Sequence, residues 1–172
     1  MRAPSLLVSI ACLVGCGAAQ RGGPDEVAAV GRALDAWHAA AAASDGPRYF
    51  AAFTDDAIFL GTDATERWTV AELRAYAERP FSEGRGWGMR AVRRDVVVEG
   101  DLAWFDEDLD AVNLGPARGS GVLRREGGRW RIAHYNLAIT VPNERFAAVR
   151  ALPGEAAQPD AEPSGEASIT TE

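Results

Sequence analysis

Two adjacent glycines, Gly127 and Gly128, constrain the fold of this 172-residue chain more than any other feature. They separate two runs in which apolar and polar residues alternate, which is the pattern of strands with one buried face. A glycine pair readily adopts the positive φ angles that a two-residue hairpin turn requires. The sequence therefore predicts a long antiparallel hairpin over residues 119–142.

The turn also predicts which residues of this hairpin face each other. Counting outward from the two glycines places His134 opposite Gly121 and Asn136 opposite Gly119. Side chains alternate between the two faces of a strand. One face is therefore expected to carry Trp130, Ile132, His134 and Asn136. A slip of one residue would place Arg131 and Tyr135 there instead, so this prediction depends on an uninterrupted register.

A second turn, Gly100-Asp101, predicts another hairpin just before the first. One face is expected to carry Val92, Arg94, Val96 and Val98 from its first strand, and Ala103, Phe105, Glu107 and Leu109 from its second. The opposite face carries Asp106, Asp108 and Asp110. Because no second set of ligands accompanies this row of carboxylates, it indicates a solvated or arginine-paired surface rather than a metal site.

Helical patterns precede the strands. Asp25 is placed to cap a first helix, in which apolar residues recur every three or four positions. This stripe comprises Val27, Val30, Leu34, Trp37 and Ala41. His38 lies beside the stripe and is expected near the surface. A short second helix follows, and Thr69 with Glu72 forms a capping box for a third helix that runs to Pro80.

Residues 1–16 combine a positively charged start, a short apolar run and small residues at the end, which is the pattern of a secretory signal. Their last four residues closely resemble the bacterial lipobox, in which the cysteine is lipidated and becomes the new N-terminus. The resemblance implies a lipid anchor at Cys16 and, because Gly17 follows, sorting to the periplasmic face of the outer membrane. An ordinary signal peptide with an incidental cysteine is the alternative. Residues 17–24 are read as a linker.

Composition excludes several classes of function. The net charge is −7, and five of the acidic residues lie in a tail over residues 151–172 that has little to bury and is predicted to be disordered. No basic stripe remains to bind nucleic acid. Both cysteines, Cys12 and Cys16, belong to the signal region, so the domain has neither a disulfide nor a thiolate metal site. No glycine-rich phosphate loop precedes a helix, and no metal or cofactor is expected.

The order of elements predicts the class of fold. Helices, a short strand at residues 57–60, another helix and then hairpin strands indicate an α+β domain, in which helices close one side of a curved antiparallel sheet. The segments FTDDAIFLGTDATERW, LAWFDE, RGSGVL and GRWRIAHYNLAITVPN closely resemble the SnoaL-like branch of the nuclear transport factor 2-like superfamily. The resemblance covers roughly residues 26–146 of a domain placed at 25–150. It implies a cone-shaped domain with helices on the concave face of the sheet, a pocket at the wide end and possible homodimers through the sheet.

The functional prediction rests on this pocket. Glu107 and His134 are expected to lie near each other and could share a proton next to a substrate carbonyl. The predicted ligand contacts are Asn136, Trp130, Phe105, Trp37, Trp68 and Arg94. Binding of a small, mainly apolar ligand is the favoured function. The alternatives are an acid–base enzyme of the isomerase, cyclase or dehydratase type, in which the Arg94 ion pair would weaken Glu107 as a base, and a dimeric adaptor protein.

Overall fold

The computed structural model describes residues 21–152. The predicted signal peptide, the lipidation site at Cys16 and the tail beyond residue 152 lie outside these residues. Two compact units are present, and they divide between Ile139 and Thr140. The second unit contains a 3₁₀ turn at Asn143–Arg145 and a short helix at Phe146–Arg150.

The first unit consists of three helices and six strands. The helices are α1 (Pro24–Ala42), α2 (Gly46–Ala51) and α3 (Val70–Ser82), and the strands are β1 (Phe53–Leu60), β2 (Arg67–Thr69), β3 (Met89–Glu99), β4 (Leu102–Ala111), β5 (Gly115–Glu126) and β6 (Arg129–Ile139). The strands form one curved sheet in the order β2-β1-β6-β5-β4-β3. All neighbouring strands are antiparallel except β1 and β6, which are parallel. The predicted α+β class, with helices against a curved sheet, is confirmed.

The helices form where the sequence patterns predict them, with small shifts at their ends. Helix α1 begins at Pro24 with Gly23 as its N-cap, rather than with Asp25 as the cap. The capping box at α3 is present, since Thr69 accepts from the backbone N–H of Glu72 and the Glu72 carboxylate accepts from that of Thr69. Helix α3 continues through Pro80 to Ser82. No helix within residues 21–152 is long and apolar enough to span a bilayer.

The glycine turn of the β5–β6 hairpin forms as predicted, with φ angles of 56° at Gly127 and 76° at Gly128. Next to the turn, Leu123 pairs with Ile132. Beyond that pair, Val122 pairs with His134, so Ala133 is an extra residue in β6. This β-bulge interrupts the alternation of side chains that the sequence prediction assumed.

The bulge overturns the predicted inner face of β6. Tyr135, rather than His134, lies opposite Gly121, and both Tyr135 and Leu137 are buried. His134 and Asn136 lie on the outer face of the sheet and are partly exposed. The prediction that these two side chains line a concave pocket is therefore wrong, because one inserted residue reverses the faces of all that follow.

A second bulge lies in β3, where Ala91 pairs with Leu109 and Arg93 with Asp108. Val92 is the extra residue and is exposed, so its predicted place on the inner face is also wrong. Between this bulge and the turn the predicted register is correct, and Arg94 pairs with Glu107.

The interior between α1 and the sheet is filled with aromatic side chains. Trp37 contacts Tyr135 with ring centroids 4.7 Å apart and Tyr49 with centroids 5.5 Å apart. Tyr135 also stacks on Phe59 at 5.4 Å. The helix and the concave face of the sheet therefore meet in a packed core.

Candidate functional site: a buried carboxylate and an aromatic cavity

Glu107 lies at the centre of a buried polar cluster, which we call the Glu107 cluster and which comprises His38, Arg94, Glu107 and Tyr135. His38 Nε2 lies 2.8 Å from Glu107 Oε1, and Tyr135 Oη donates to the same oxygen at 3.3 Å. Arg94 Nε donates to Glu107 Oε2 at 2.8 Å. Since a carboxylate only accepts, the hydrogen bond places a proton on His38 Nε2. Glu107 itself is 0% exposed.

Helix α1 completes the surroundings of this cluster. Arg94 Nη1 donates to the Gly31 carbonyl at 3.1 Å and to Asp35 Oδ1 at 2.8 Å. One arginine therefore connects the helix to the sheet through a backbone carbonyl and two carboxylates. These contacts compensate the buried charges, which would otherwise be costly.

The contacts determine the protonation of Glu107. Burial acts to raise its pKa, but the hydrogen bond and charge of His38, together with Arg94, outweigh burial and lower the pKa below its ordinary value. Glu107 is thus an ionised, fully engaged carboxylate, which is a weak base. In the opposite direction, burial and the neighbouring Glu107 raise the pKa of Tyr135 well above its usual value.

Gly119 allows the cluster to pack against the sheet. It lies opposite Glu107 in β5, and a Cβ placed there would meet Tyr135 Oη at 2.3 Å and Glu107 Oε1 at 2.9 Å. The space beside this glycine is therefore occupied by the cluster.

A cavity of about 290 Å³ lies at the edge of this core, between α3 and the ends of several strands; we call it the mouth cavity. Four aromatic residues line it: Phe59, Trp68, Tyr76 and Trp87. Aliphatic and thioether side chains complete its apolar wall, from Leu73, Met89, Leu114 and Leu137. The polar lining side chains are Thr62, Glu66, Arg85 and Asn113. A concave apolar site with a few polar groups is the usual form of a small-molecule site.

The local structure around β2 shapes this cavity. Glu66 lies over Gly61, where a Cβ would overlap the glutamate side chain, and Glu66 Oε2 accepts from the backbone N–H of Asp63 at 3.2 Å. Trp68 in β2 stacks on Phe59 with centroids 6.2 Å apart. On its other side Trp68 contacts Tyr76 of α3 at 4.6 Å. The turn before β2 therefore places Glu66 and Trp68 at the cavity.

A larger groove of about 480 Å³ lies between α2 and α3. Arg74 covers the Phe50 ring there at 4.1 Å from its centroid. Neither the inner face of the sheet nor the two tryptophans Trp68 and Trp87 contribute to it. We therefore treat the smaller mouth cavity, which combines aromatic walls with convergent polar groups, as the candidate site.

The structure separates the residues that the sequence assigned to one site. Trp68 lines the mouth cavity. Trp37 and Phe105 are buried in the core, and Arg94 belongs to the Glu107 cluster. Trp130 packs under Arg125 at 4.5 Å, near the hairpin turn.

The predicted proximity of Glu107 and His134 is also wrong. Glu107 is buried on the inner face, whereas His134 follows the bulge on the outer face. The histidine that contacts Glu107 is His38, which was expected near the surface. Its position four residues after Leu34 places it on the buried stripe of α1, so the helical spacing contained this signal.

The geometry first identifies the class of fold. A curved sheet wrapped around an N-terminal helix, with a cavity at one end, is the cone-shaped α+β fold of nuclear transport factor 2-like and cystatin-like domains. The family model described as SnoaL-like domain matches residues 30–142. The chain therefore belongs to the SnoaL-like domain family.

Solved structures support the same fold. An NTF2-like protein of unknown function from Pseudomonas putida is 18% identical with a TM-score of 0.61, covering 71% of this chain and 92% of its own. A protein from Streptomyces avermitilis, described as a candidate dehydratase of the NTF2-like family, is 16% identical with a TM-score of 0.60. The match covers 70% of this chain and 100% of that protein's chain. A candidate aromatic ring hydroxylase from Novosphingobium aromaticivorans is 20% identical with a TM-score of 0.57. The match covers 70% of this chain and 94% of that protein's chain. No curated protein matches the sequence.

Proposed function

We propose that this domain binds a small, mainly apolar ligand in the mouth cavity. The observation that carries the proposal is a cavity of about 290 Å³ whose walls are four aromatic rings and four aliphatic or thioether side chains. Tyr76 is 53% exposed although it is a large apolar ring, and it lines this cavity. A ligand that covers such surface gains roughly 25 cal/mol for each Å² removed from water.

A blocking variant tests this proposal. Leu114→Trp is expected to fill the cavity, whereas Val112→Trp, two residues earlier at an 80% exposed position outside the lining, is the matched control. The full chain is examined by native mass spectrometry for a retained small molecule, and toluene is titrated against the indole N–H signals of Trp68 and Trp87 by NMR. Retention or toluene binding that is lost only in Leu114→Trp supports the proposal. Binding that survives in Leu114→Trp, or a wild-type protein that binds neither, contradicts it.

Binding is favoured over acid–base catalysis because the group proposed as the base does not line the cavity. Glu107 is absent from the cavity lining, and its two oxygens already accept from three side chains. A carboxylate with a lowered pKa is a poor base for proton abstraction next to a carbonyl. An isomerase, cyclase or dehydratase activity would need a different proton-transfer group in contact with the cavity.

We further propose that the protein is exported and lipid-anchored through Cys16, at the periplasmic face of the outer membrane. The lipobox-like end of the N-terminal segment supports this. Several acyl chains hold a protein at a membrane durably, because each buried CH₂ contributes about 0.8 kcal/mol. Palmitate labelling in a bacterial host is expected in the wild type and absent in Cys16→Ser. Labelling that persists in the variant contradicts the anchor.

The proposed partner is a second copy of the chain, bound through the outer face of the sheet. A row of paired residues, apolar except for His134, crosses this face through neighbouring strands, namely Val97, Trp104, Val122, His134 and Ile58. Trp104 in β4, the neighbour of the edge strand β3, is 44% exposed. Light scattering is expected to show a dimer that Trp104→Glu dissociates. A monomeric wild type, or an unchanged dimer in the variant, contradicts this arrangement.

A further inference from the structure

The aromatic rings of the mouth cavity form a continuous series. Phe59 and Trp68 are 6.2 Å apart, Trp68 and Tyr76 4.6 Å, and Tyr76 and Trp87 6.3 Å between centroids. The face of an aromatic ring carries negative potential and attracts a cation within about 6 Å of its centroid. Because Trp68 has Phe59 on one side and Tyr76 on the other, Tyr76 and Trp87 at the more exposed end of the series are the rings open to such a contact. Aromatic rings beside a cavity are also the feature by which aromatic cages recognise quaternary ammonium groups. These rings favour a cationic ligand over a neutral ligand of the same size, a distinction that the cavity volume alone would not make.

The charged groups of the lining also favour a cationic ligand. Arg85, the cationic side chain of the lining, is engaged by Glu83, which accepts from Arg85 Nε at 2.7 Å and also from Nη2. Within residues 21–152, Glu66 forms no ion pair, and its carboxylate accepts a hydrogen bond from the Asp63 backbone N–H. The arginine is therefore already paired with a carboxylate, whereas the half-buried glutamate has no cationic partner among the described residues. An anionic ligand would meet an occupied arginine and a repelling carboxylate.

The rest of the lining limits the remainder of the ligand. Leu73, Leu114, Leu137 and Met89 offer apolar contacts, and Thr62 and Asn113 offer hydrogen bonds. A volume of about 290 Å³ admits a small molecule only. The ligand that satisfies every part of this surface carries a compact positive charge, a short apolar body and at most a few polar groups.

We infer that the mouth cavity binds a small alkylated ammonium compound, with the cationic head among the aromatic rings near Glu66. This inference rests on the proposed function, because it names the chemical class of the ligand for the same cavity. Binding at the cavity and preference for a cation are separate properties, so they can fail separately.

Three probes of nearly the same shape distinguish them: choline, its neutral carbon isostere 3,3-dimethylbutan-1-ol, and the anion 3,3-dimethylbutanoate. Each is titrated against the full-length wild-type chain, followed by the NMR signals of the Trp68 and Trp87 indoles. Choline is expected to bind about 2- to 30-fold more tightly than the neutral isostere, which is the range of a single cation–π contact. The anion is expected to bind more weakly than either.

Glu66→Gln tests the contribution of the carboxylate. It keeps an oxygen that can accept from the Asp63 backbone while it removes the charge, so several-fold weaker binding of choline and unchanged binding of the neutral isostere are expected. Glu78→Gln is the matched control, since Glu78 is an exposed glutamate of α3 outside the mouth cavity. The control variant is expected to leave the binding of toluene and of all three probes unchanged.

Equal or tighter binding of the neutral isostere would overturn the inference and leave the proposed function intact. Tightest binding of the anion would overturn it as well and would assign the selectivity to Arg85. If none of the three probes binds at millimolar concentration, the cationic class is wrong, and the toluene titration decides separately whether the cavity binds apolar ligands. Choline binding that Glu78→Gln weakens as much as Glu66→Gln would also refute the assigned position of the cationic head.

Discussion

The Glu107 cluster and the mouth cavity both combine aromatic rings with a carboxylate, but they differ in what remains unoccupied. In the cluster, both oxygens of Glu107 accept hydrogen bonds, and the side chain is wholly buried. In the cavity, Glu66 is only partly buried and the aromatic rings border open space. The difference shows that a titratable group with a shifted pKa can be part of the structural framework rather than of a candidate binding site.

The largest effect is expected when the cluster loses its arginine. Arg94→Met keeps much of the side-chain volume but leaves Glu107 buried without its guanidinium partner. Removing one partner of a buried ion pair costs about 3–5 kcal/mol of unfolding free energy. Urea denaturation measures this loss.

Arg93→Met is the matched control in the same strand. The Arg93 guanidinium is exposed and pairs with Asp95, Asp106 and Asp108 on the outer face. Exposed pairs contribute little to stability, so a small change is expected. An Arg94→Met variant that is as stable as this control would contradict the structural role of the cluster.

A smaller loss is expected when the space beside the cluster is filled. Gly119→Ala places a methyl group against Tyr135 Oη and Glu107 Oε1 and is expected to cost about 1–3 kcal/mol of unfolding free energy. Gly31→Ala in the middle of α1 is the control, because a Cβ there lies at an ordinary 3.9 Å from Arg94. Replacing a glycine inside a helix by alanine is expected to raise the unfolding free energy by about 0.5–1 kcal/mol. Thermal unfolding should therefore shift in opposite directions, and a shared direction would refute the occupied space beside Gly119.

The cluster should also impose a pH dependence that the cavity does not. Because the pKa of Glu107 is lowered in the folded state, its contribution to stability is complete above the unfolded value of about 4.3 and is lost as the pH falls through the folded pKa. The stability difference between wild type and Glu107→Gln is expected to shrink as the pH falls below about 4. Urea unfolding across this range measures it, and a difference that grows at acidic pH would contradict the lowered pKa.

The smallest effect on stability is expected at the cavity, where binding should change instead. Tyr76→Ala removes a half-exposed ring and is expected to change the unfolding free energy by about 1 kcal/mol or less. The affinity for a cavity ligand such as toluene should fall several-fold, because one wall is lost. Trp104→Ala, which removes an exposed ring from the outer face, should leave the affinity unchanged. Unchanged toluene affinity in Tyr76→Ala would contradict the assignment of the cavity wall.

Much of the fold could be predicted because the signals are local. The positive φ angles at Gly127 and Gly128, the capping box at Thr69 and the opposition of Arg94 and Glu107 all follow from residues close in sequence. The candidate site could not be predicted in the same way. Its lining extends from Phe59 to Leu137 and depends on how α3 and β2 close against the sheet.

The sequence by itself determined the helices, the two hairpin turns and the resemblance to the SnoaL-like family, because turn geometry and apolar periodicity are properties of short segments. Tertiary structure alone decided which face His134 and Tyr135 occupy, since the bulge at Ala133 follows from strand pairing and core packing rather than from any local turn signal. It also decided that His38 rather than His134 contacts Glu107. A single inserted residue reverses which side chains face the core. The candidate site therefore lies in the aromatic cavity beside α3 and not on the hairpin, where the sequence predicted it.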